Sequence, residues 1–241
     1  MERKKGLLIV KNITREGPGL IEEALKANHI AYDIIDLGMK ERIPSIKGYS
    51  AVIVLGGPDS ANDGSEKIRA ELALAKHCLD SGVPYLGICL GMQILVKAAG
   101  GRVLKSDVKE VGFRDEEGEP YKVSLTEKGM NDPLFAGLSV RIGVFQLHGE
   151  TVELTSGMYL LGAGKHCRNQ AIKIGENAYG LQFHFELTRN MLELWLREDA
   201  DLSRVQRRRV FGDFLQARTH YEGVGRRIAG NFIDIALAKT K

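Results

Sequence analysis

Apolar positions fall into short continuous runs early in the chain and into helical stripes between them. Leu7 to Val10 is a brief apolar run that ends in turn-forming residues, as a buried strand does. Ile21 to Ala27 reads as a helix and Tyr32 to Leu37 as a second strand. Ala51 to Leu55 (AVIVL) is a third strand, and its unbroken apolar character fits a sheet covered on both faces. From about Ser65, the residues Ile68, Leu72, Ala75 and Leu79 share one helical stripe, and Gly82 follows as a stop signal. VPYLGI is a fourth strand, and LGMQILVKAAGG directly after it is a helix closed by Gly100 and Gly101. Strands and helices that alternate in this way form parallel βαβ units with right-handed crossovers. The expected fold is therefore α/β: a doubly wound, mainly parallel sheet with helices on both faces. Ligands bind such sheets beyond the carboxyl ends of the strands, which directs attention to the turns after Leu55 and Ile88.

The second half has a different rhythm. Tyr121 to Leu125, Tyr159 to Leu161, Gln170 to Ile174 and Ala178 to Phe183 are strand-like, with short polar breaks. They predict hairpins and extra antiparallel strands at the far side of the sheet. A helix from about Thr188 carries Met191, Leu192, Trp195 and Leu196 on one face. After Asp199 the chain becomes basic and helical in pattern, with an apolar stripe at Ile228, Phe232 and Ile235. The expected organisation is a main domain over residues 1–200 and a helical C-terminal extension over 201–241. The stripe packs on the main domain or on a second copy, which would make a homo-oligomer. The cluster Arg204, Arg207, Arg208 and Arg209 reads as a solvated helix face or a docking surface.

Composition narrows the class. The chain has 241 residues, of which 27% are charged, and a net charge of +3, too small to imply a nucleic-acid partner. Its three cysteines (Cys78, Cys89 and Cys167) are too few and scattered for a disulfide framework or a CxxC zinc site, which predicts a reducing, cytoplasmic setting. No apolar run is long enough to cross a membrane, and the start is too weakly apolar for a secretory signal. His166-Cys167 has no third or fourth metal ligand near it in the sequence, and no metal or organic cofactor is expected.

Three segments carry candidate chemistry. Gly87-Ile88-Cys89-Leu90-Gly91 has the spacing of a strand–nucleophile–helix elbow, with cysteine in the nucleophile's place. Cys89 would sit at a helix N-terminus, where the dipole and free N–H groups favour thiolate, and the Leu90 amide would be an oxyanion donor. The pentapeptide alone is equally compatible with a buried small residue at a tight turn. Gln182-Phe183-His184-Phe185-Glu186 ends an apolar strand, and residues two apart in an extended chain share a face, so His184 and Glu186 project together. A histidine oriented by a carboxylate is the base a cysteine nucleophile needs, although such pairs also occur structurally. Gly56-Gly57-Pro58-Asp59-Ser60 follows the AVIVL strand, where the Gly57 amide offers a second oxyanion donor. Gln93, one helical turn past Cys89, can face the same pocket.

Taken in order, GGPDS (56–60), GICLGMQ (87–93), FQLHGE (145–150) and GLQFHFE (180–186) resemble the class I glutamine amidotransferases over roughly residues 6 to 195. The resemblance implies a flavodoxin-like fold, a Cys89–His184–Glu186 triad and oxyanion donors from Gly57 and Leu90. It implies that glutamine is the substrate, held by Gln93 and by backbone around Leu147, His148 and Gly149. It also implies an ammonia-accepting synthase, and the forty or so residues after Asp199 are too few to form one, so a separate subunit is expected. Two positions depart from the family: its usual proline between the histidine and glutamate is Phe185, and its usual aspartate after His-Gly is Glu150. These changes bear on the strand-end geometry and on a substrate contact. A γ-glutamyl hydrolase acting on γ-glutamyl amines or peptides would use the same triad, and a regulatory subunit that keeps the fold without the activity is a third reading.

Overall fold

In the computed structural model, which describes residues 5–204 and 207–238, the early apolar runs are parallel strands. They are β1 (Lys5–Lys11), β2 (Tyr32–Asp36), β3 (Tyr49–Val54) and β4 (Tyr85–Ile88), side by side in the order β2-β1-β3-β4. Between them lie the helices α1 (Leu20–Ala27) and α2 (Glu66–Ser81), and β4 leads straight into α3 (Leu90–Ala98). Because strand side chains alternate, β1 and β3 feed two cores. Leu7, Ile9, Ala51 and Ile53 face Ile21 and Leu25 of α1. Leu8, Val10, Val52 and Val54 face Ile68 and Ala75 of α2 and Ile94 and Leu95 of α3.

The limits of α2 follow from its caps. The Ser65 hydroxyl accepts from the Ile68 amide at 3.2 Å, and Gly82 closes the helix at φ 68°. Its buried face is rotated from the expected stripe: Leu72 and Leu79 are partly buried, and Glu71 and Leu74 lie inside instead. Glu71 is tolerated there because Asn12 Nδ2, at the end of β1, donates to it at 2.9 Å and to the Leu55 carbonyl at 3.1 Å.

In the second half the chain adds β5 (Arg102–Gly112), β6 (Lys122–Leu125), the short α4 (Glu127–Met130), β7 (Arg141–Gly143), β8 (Gln146–Glu153), β9 (Met158–Ala163), β10 (Ala171–Ile174) and β11 (Ala178–Leu181). β11 returns to pair with β4 in parallel, and from it β10, β9, β6 and β7 continue the sheet antiparallel. Among the described residues this makes one nine-stranded sheet. The expected doubly wound sheet with antiparallel strands at its far side is the observed one. β5, β7 and β8 were not expected as strands. β5 and β8 pair only with each other, as a ribbon with an irregularity between Lys105 and Glu110. Most of β5 is exposed, so its sequence lacks the apolar alternation that a covered strand shows.

Two helices finish the described chain: α5 (Arg189–Glu198), capped by Thr188, and the long α6 (Arg207–Ala238). Ile228 and Phe232 of α6 are buried on the same core as α1, with Ile235 partly buried beside them. The predicted stripe therefore packs on this chain's own sheet rather than on a second copy. Arg207, Arg208 and Arg209 are exposed, Arg209 reaching the Asp115 carbonyl at 3.3 Å, while the side chain of Arg204 lies outside the described residues. No described helix is long and apolar enough to cross a membrane.

Two outcomes test this packing. Phe232→Ala should destabilise the protein by about 3–5 kcal/mol in urea denaturation, whereas Leu215→Ala on the exposed side of α6 should change it by less than about 0.5 kcal/mol. Burial, partly offset by the Asn12 hydrogen bond, raises the Glu71 carboxyl from 4.5 to about 7. The folded state therefore holds this proton more tightly than the unfolded chain, and stability is lost as pH rises from about 4.5 through about 7. Glu71→Gln should gain on the parent protein by something on the order of 3 kcal/mol between pH 4 and pH 8. An unchanged difference between the two proteins at both pH values would contradict a buried, ionising Glu71.

Candidate active site

Only one residue separates β4 from α3, and it is Cys89. Its backbone is at φ 50°, ψ −106°, a region that L-residues rarely adopt. Two glycines make the turn possible. A Cβ on Gly87 would lie 2.3 Å from the Gly91 carbonyl, and one on Gly91 would lie 2.2 Å from the Val54 oxygen. The Cys89 amide is held by the Leu181 carbonyl of β11 at 2.8 Å. The buried sulfur lies 3.7 Å from the Leu147 carbonyl oxygen and receives Gln182 Nε2 at 3.5 Å.

His184 and Glu186 come from the segment after β11. The strand ends at Leu181, and beyond it His184 keeps a single bridge, its amide donating to the Phe145 carbonyl at 2.9 Å. The Tyr221 hydroxyl of α6 donates to the His184 carbonyl at 3.1 Å and accepts from the Leu187 amide at 3.2 Å. The imidazole packs edge-on to Trp195, with ring centroids 5.1 Å apart. His184 Nδ1 and Glu186 Oε1 are 2.6 Å apart, both residues being buried. The second Glu186 oxygen accepts from the Phe185 amide at 2.9 Å. A proline in that place would have no such donor, so Phe185 leaves the pair intact and adds a hydrogen bond to its acid. Burial opposes the charged imidazole, but the Glu186 carboxylate and the hydrogen bonds to Cys89 and Glu186 outweigh it and raise His184 well above 6.5.

The other predicted residues gather around this pair. Gly57, Gln93, Leu147, His148 and Gly149 line the cavity of about 780 Å³ that also contains Cys89 and His184. The Leu90 side chain is buried, and its amide belongs to the first turn of α3, where N–H groups have no intrahelical partner. Gly57 must be glycine, since a Cβ there would meet the Asn12 Cβ at 2.5 Å. Gln93 Nε2 donates to Gln182 at 3.3 Å. Glu150 accepts from the Ser60 hydroxyl at 2.8 Å and so ties the GGPDS turn to β8. The His148 ring is turned into the protein, with Nδ1 3.0 Å from the Glu150 carbonyl and Nε2 2.9 Å from Glu110 without hydrogen-bond alignment. His166-Cys167 showed no third or fourth ligand near it in the sequence, but the fold brings Cys167 beside this pair, and the ligand atoms of Glu110, His148 and Cys167 are within 4.8 Å of one another. This is a buried group that could hold a metal ion, although Glu110 already accepts from Gln170 at 2.9 Å.

The loop after β1 also belongs to the site, and no motif in the sequence pointed to it. Gly19, at φ 46°, lies so close to the segment carrying His184 and Glu186 that a Cβ would be 2.0 Å from the Glu186 backbone carbonyl oxygen, and the Leu20 amide donates to that carbonyl at 2.9 Å. Trp195 Nε1 donates to the Arg15 carbonyl at 3.0 Å, and the Arg15 guanidinium pairs with Asp199 at 2.7 Å. This clamp sets Glu16 in the cavity wall. Burial pushes its carboxyl from 4.5 to about 7, against the pull of His184 and Arg15. The rule that pointed to the turns after Leu55 and Ile88 applies equally to the turn after β1, which adjoins the sheet's switch point.

Comparison with known proteins agrees with this arrangement. The glutamine amidotransferase class-I family profile matches residues 18–194. The glutamine amidotransferase-like protein YfeJ of Salmonella typhimurium is 27% identical over 205 residues, which cover 82% of this chain and 83% of that protein. A glutamine-hydrolyzing GMP synthase of Thermosipho melanesiensis is 36% identical over 141 residues, which cover 58% of this chain and 24% of the synthase. The crystal structure of a Thermotoga maritima glutamine amidotransferase superposes with a TM-score of 0.83 at 24% identity, covering 97% of this chain and all of that one. With a cysteine elbow, a histidine–glutamate pair and a matching profile over most of its length, the chain belongs to the class I glutamine amidotransferase family.

Proposed function

We propose that the protein hydrolyses the side-chain amide of glutamine through a Cys89 thioester, giving glutamate and ammonia. The observation that carries this reading is the convergence of Cys89, on its strained turn, with a buried imidazole whose Nδ1 is held 2.6 Å from Glu186. With Nδ1 occupied by the acid, Nε2 is the ring nitrogen left to serve the sulfur and the leaving group. Cys89 thiolate attacks the amide carbon, and the oxyanion is met by the amides of Leu90 and Gly57. His184 delivers its proton to the departing nitrogen, then takes one from the water that opens the thioester. Gln93 and the backbone of Leu147, His148 and Gly149 hold the amino acid end of the substrate, along the wall where the Cys89 sulfur meets the Leu147 carbonyl.

The ammonia passes to a synthase outside these 241 residues. Support comes from the Thermosipho relative, a glutamine-hydrolyzing synthase of which this chain matches about a quarter. A Thermoplasma acidophilum protein described as one subunit of a GMP synthase shares the fold, with a TM-score of 0.70.

Glutamate release from glutamine should fall by about 10³-fold or more in Cys89→Ala, with the melting temperature retained. Residual turnover near that of the parent would remove Cys89 from the mechanism. Glu186→Gln should keep the fold and lower kcat by about 10²–10⁴-fold, because the imidazole loses the charge that orients and stabilises it. If the isolated chain turns over too slowly to assay, trapping of Cys89 by a diazoketone analogue of glutamine reads out the same nucleophile, and an unlabelled Cys89 would count against the triad.

A further inference from the structure

Glu16 is an acidic residue that the triad chemistry leaves without a task. It is 5% exposed, and its carboxylate makes no hydrogen bond or ion pair with any described residue. Of the cations in the cavity wall, Arg15 is held by Asp199 at 2.7 Å and Lys109 by Asp201 at 2.5 Å, while the exposed Lys105 makes no ion pair with Glu16. A largely buried acid without a protein partner is costly and calls for an explanation such as a catalytic role or a bound ion, and Glu16 lines the cavity where such a group could reach it.

Its position indicates which part of the substrate it meets. The space above Gly56 is bounded by three groups: a Cβ there would lie 2.7 Å from Glu16 Oε2, 2.8 Å from His184 Cε1 and 3.5 Å from the Cys89 Cβ. Glu16 therefore stands on the His184 side of the nucleophile. The residues assigned to the amino acid end, Gln93 and Leu147 to Gly149, line the same cavity but are not among the atoms that crowd this point. The group that must approach His184 is the leaving nitrogen, which takes the imidazole's proton.

We propose that Glu16 is a specificity residue that receives the leaving amine, binding it as an ammonium ion and so favouring γ-glutamyl amides over γ-glutamyl esters. This rests on the triad reading above. The leaving group is ammonia from glutamine or an alkylamine from a γ-glutamyl amine. The open cavity of about 780 Å³ gives a substituent on nitrogen room to extend. The proton balance is simple. The thiolate–carbon bond forms, the carbon–nitrogen bond breaks, and His184 gives its proton to the nitrogen, which departs as a neutral amine. The amine then takes the proton of the neutral Glu16 carboxyl, leaving an ammonium–carboxylate pair, and solvent later returns a proton to Glu16. The transfer runs downhill, since a carboxyl raised to about 7 faces an alkylammonium of pKa near that of lysine, about 10.4. An ester leaves as an alcohol, which takes no second proton, and gains nothing from Glu16.

The test compares Glu16→Gln with the parent protein on glutamine, γ-glutamyl methylamide and the γ-methyl ester of glutamate, following glutamate release and labelling of Cys89 by the diazoketone analogue. Glu16→Gln should lower kcat/KM for both amides by about 10- to 100-fold and for the ester by less than about 3-fold, with labelling unchanged. A larger loss for the alkylamide than for glutamine would place the amine's substituent in the open cavity beside Glu16. Equal losses on amides and ester, or no loss on any of them, would overturn the role of Glu16 while leaving the triad in place. A parent protein that neither labels nor hydrolyses any of the three would overturn the triad reading, and the Glu16 role with it. Melting temperatures and the Glu16→Asp variant guard against misfolding: Glu16→Asp, which keeps the carboxyl, should retain more amide turnover than Glu16→Gln.

Discussion

The backbone of Cys89 is the constraint around which the rest of this protein is arranged. A non-glycine residue at φ 50°, ψ −106° stores on the order of 1–3 kcal/mol, and it persists only where neighbours leave no alternative. Those neighbours come from strands on both sides of β4 and from the helix that follows it. β11 holds the Cys89 amide, Gly91 lies against the Val54 carbonyl of β3, and the first turn of α3 takes the Cys89 carbonyl through the Gln93 amide. The side chain is thereby lifted out of the sheet at the end where three other segments arrive. The GGPDS turn, the strand end with His184 and the loop after β1 meet there because each follows the carboxyl end of one of the parallel strands β3, β11 and β1.

The sequence disclosed most of this where local chemistry and final position coincide. The parallel strands were legible because a strand buried on both faces must be apolar throughout, as AVIVL is. Cys89 was legible because the elbow requires glycine on both sides, and the reason is visible in the atoms that a Cβ would strike. β5 and β8 were not legible: β5 is mostly exposed, and β8 covers polar residues such as Gln146 and His148 beside Val152, so neither strand shows apolar alternation. Glu71 on the buried side of α2 was also hidden, because the hydrogen bond it accepts comes from Asn12, 59 residues away. Glu16 escaped for the same reason. Nothing near it in the sequence reports that Gly56 will bring it beside His184.

The departures from the family pattern at Phe185 and Glu150 are absorbed in different ways. Phe185 places a buried ring in the core and contributes an N–H to the outer oxygen of Glu186, so both oxygens of the acid are engaged. Glu150 is drawn to Ser60, which turns it into a tie between two loops of the site. Side chains are exchanged at both places, and the cavity that contains Cys89 and His184 persists.

The hydroxyl of Tyr221 holds the carbonyl of His184 from 37 positions further along the chain. Synthesis runs from the N-terminus, so Cys89 and His184 exist well before the segment that braces the His184 backbone. A growing chain carries both residues without this brace until α6 is made and docks on the sheet. The full bracing of the His184 segment is thus acquired late, as a property of the packed α6 and not of the strand end alone.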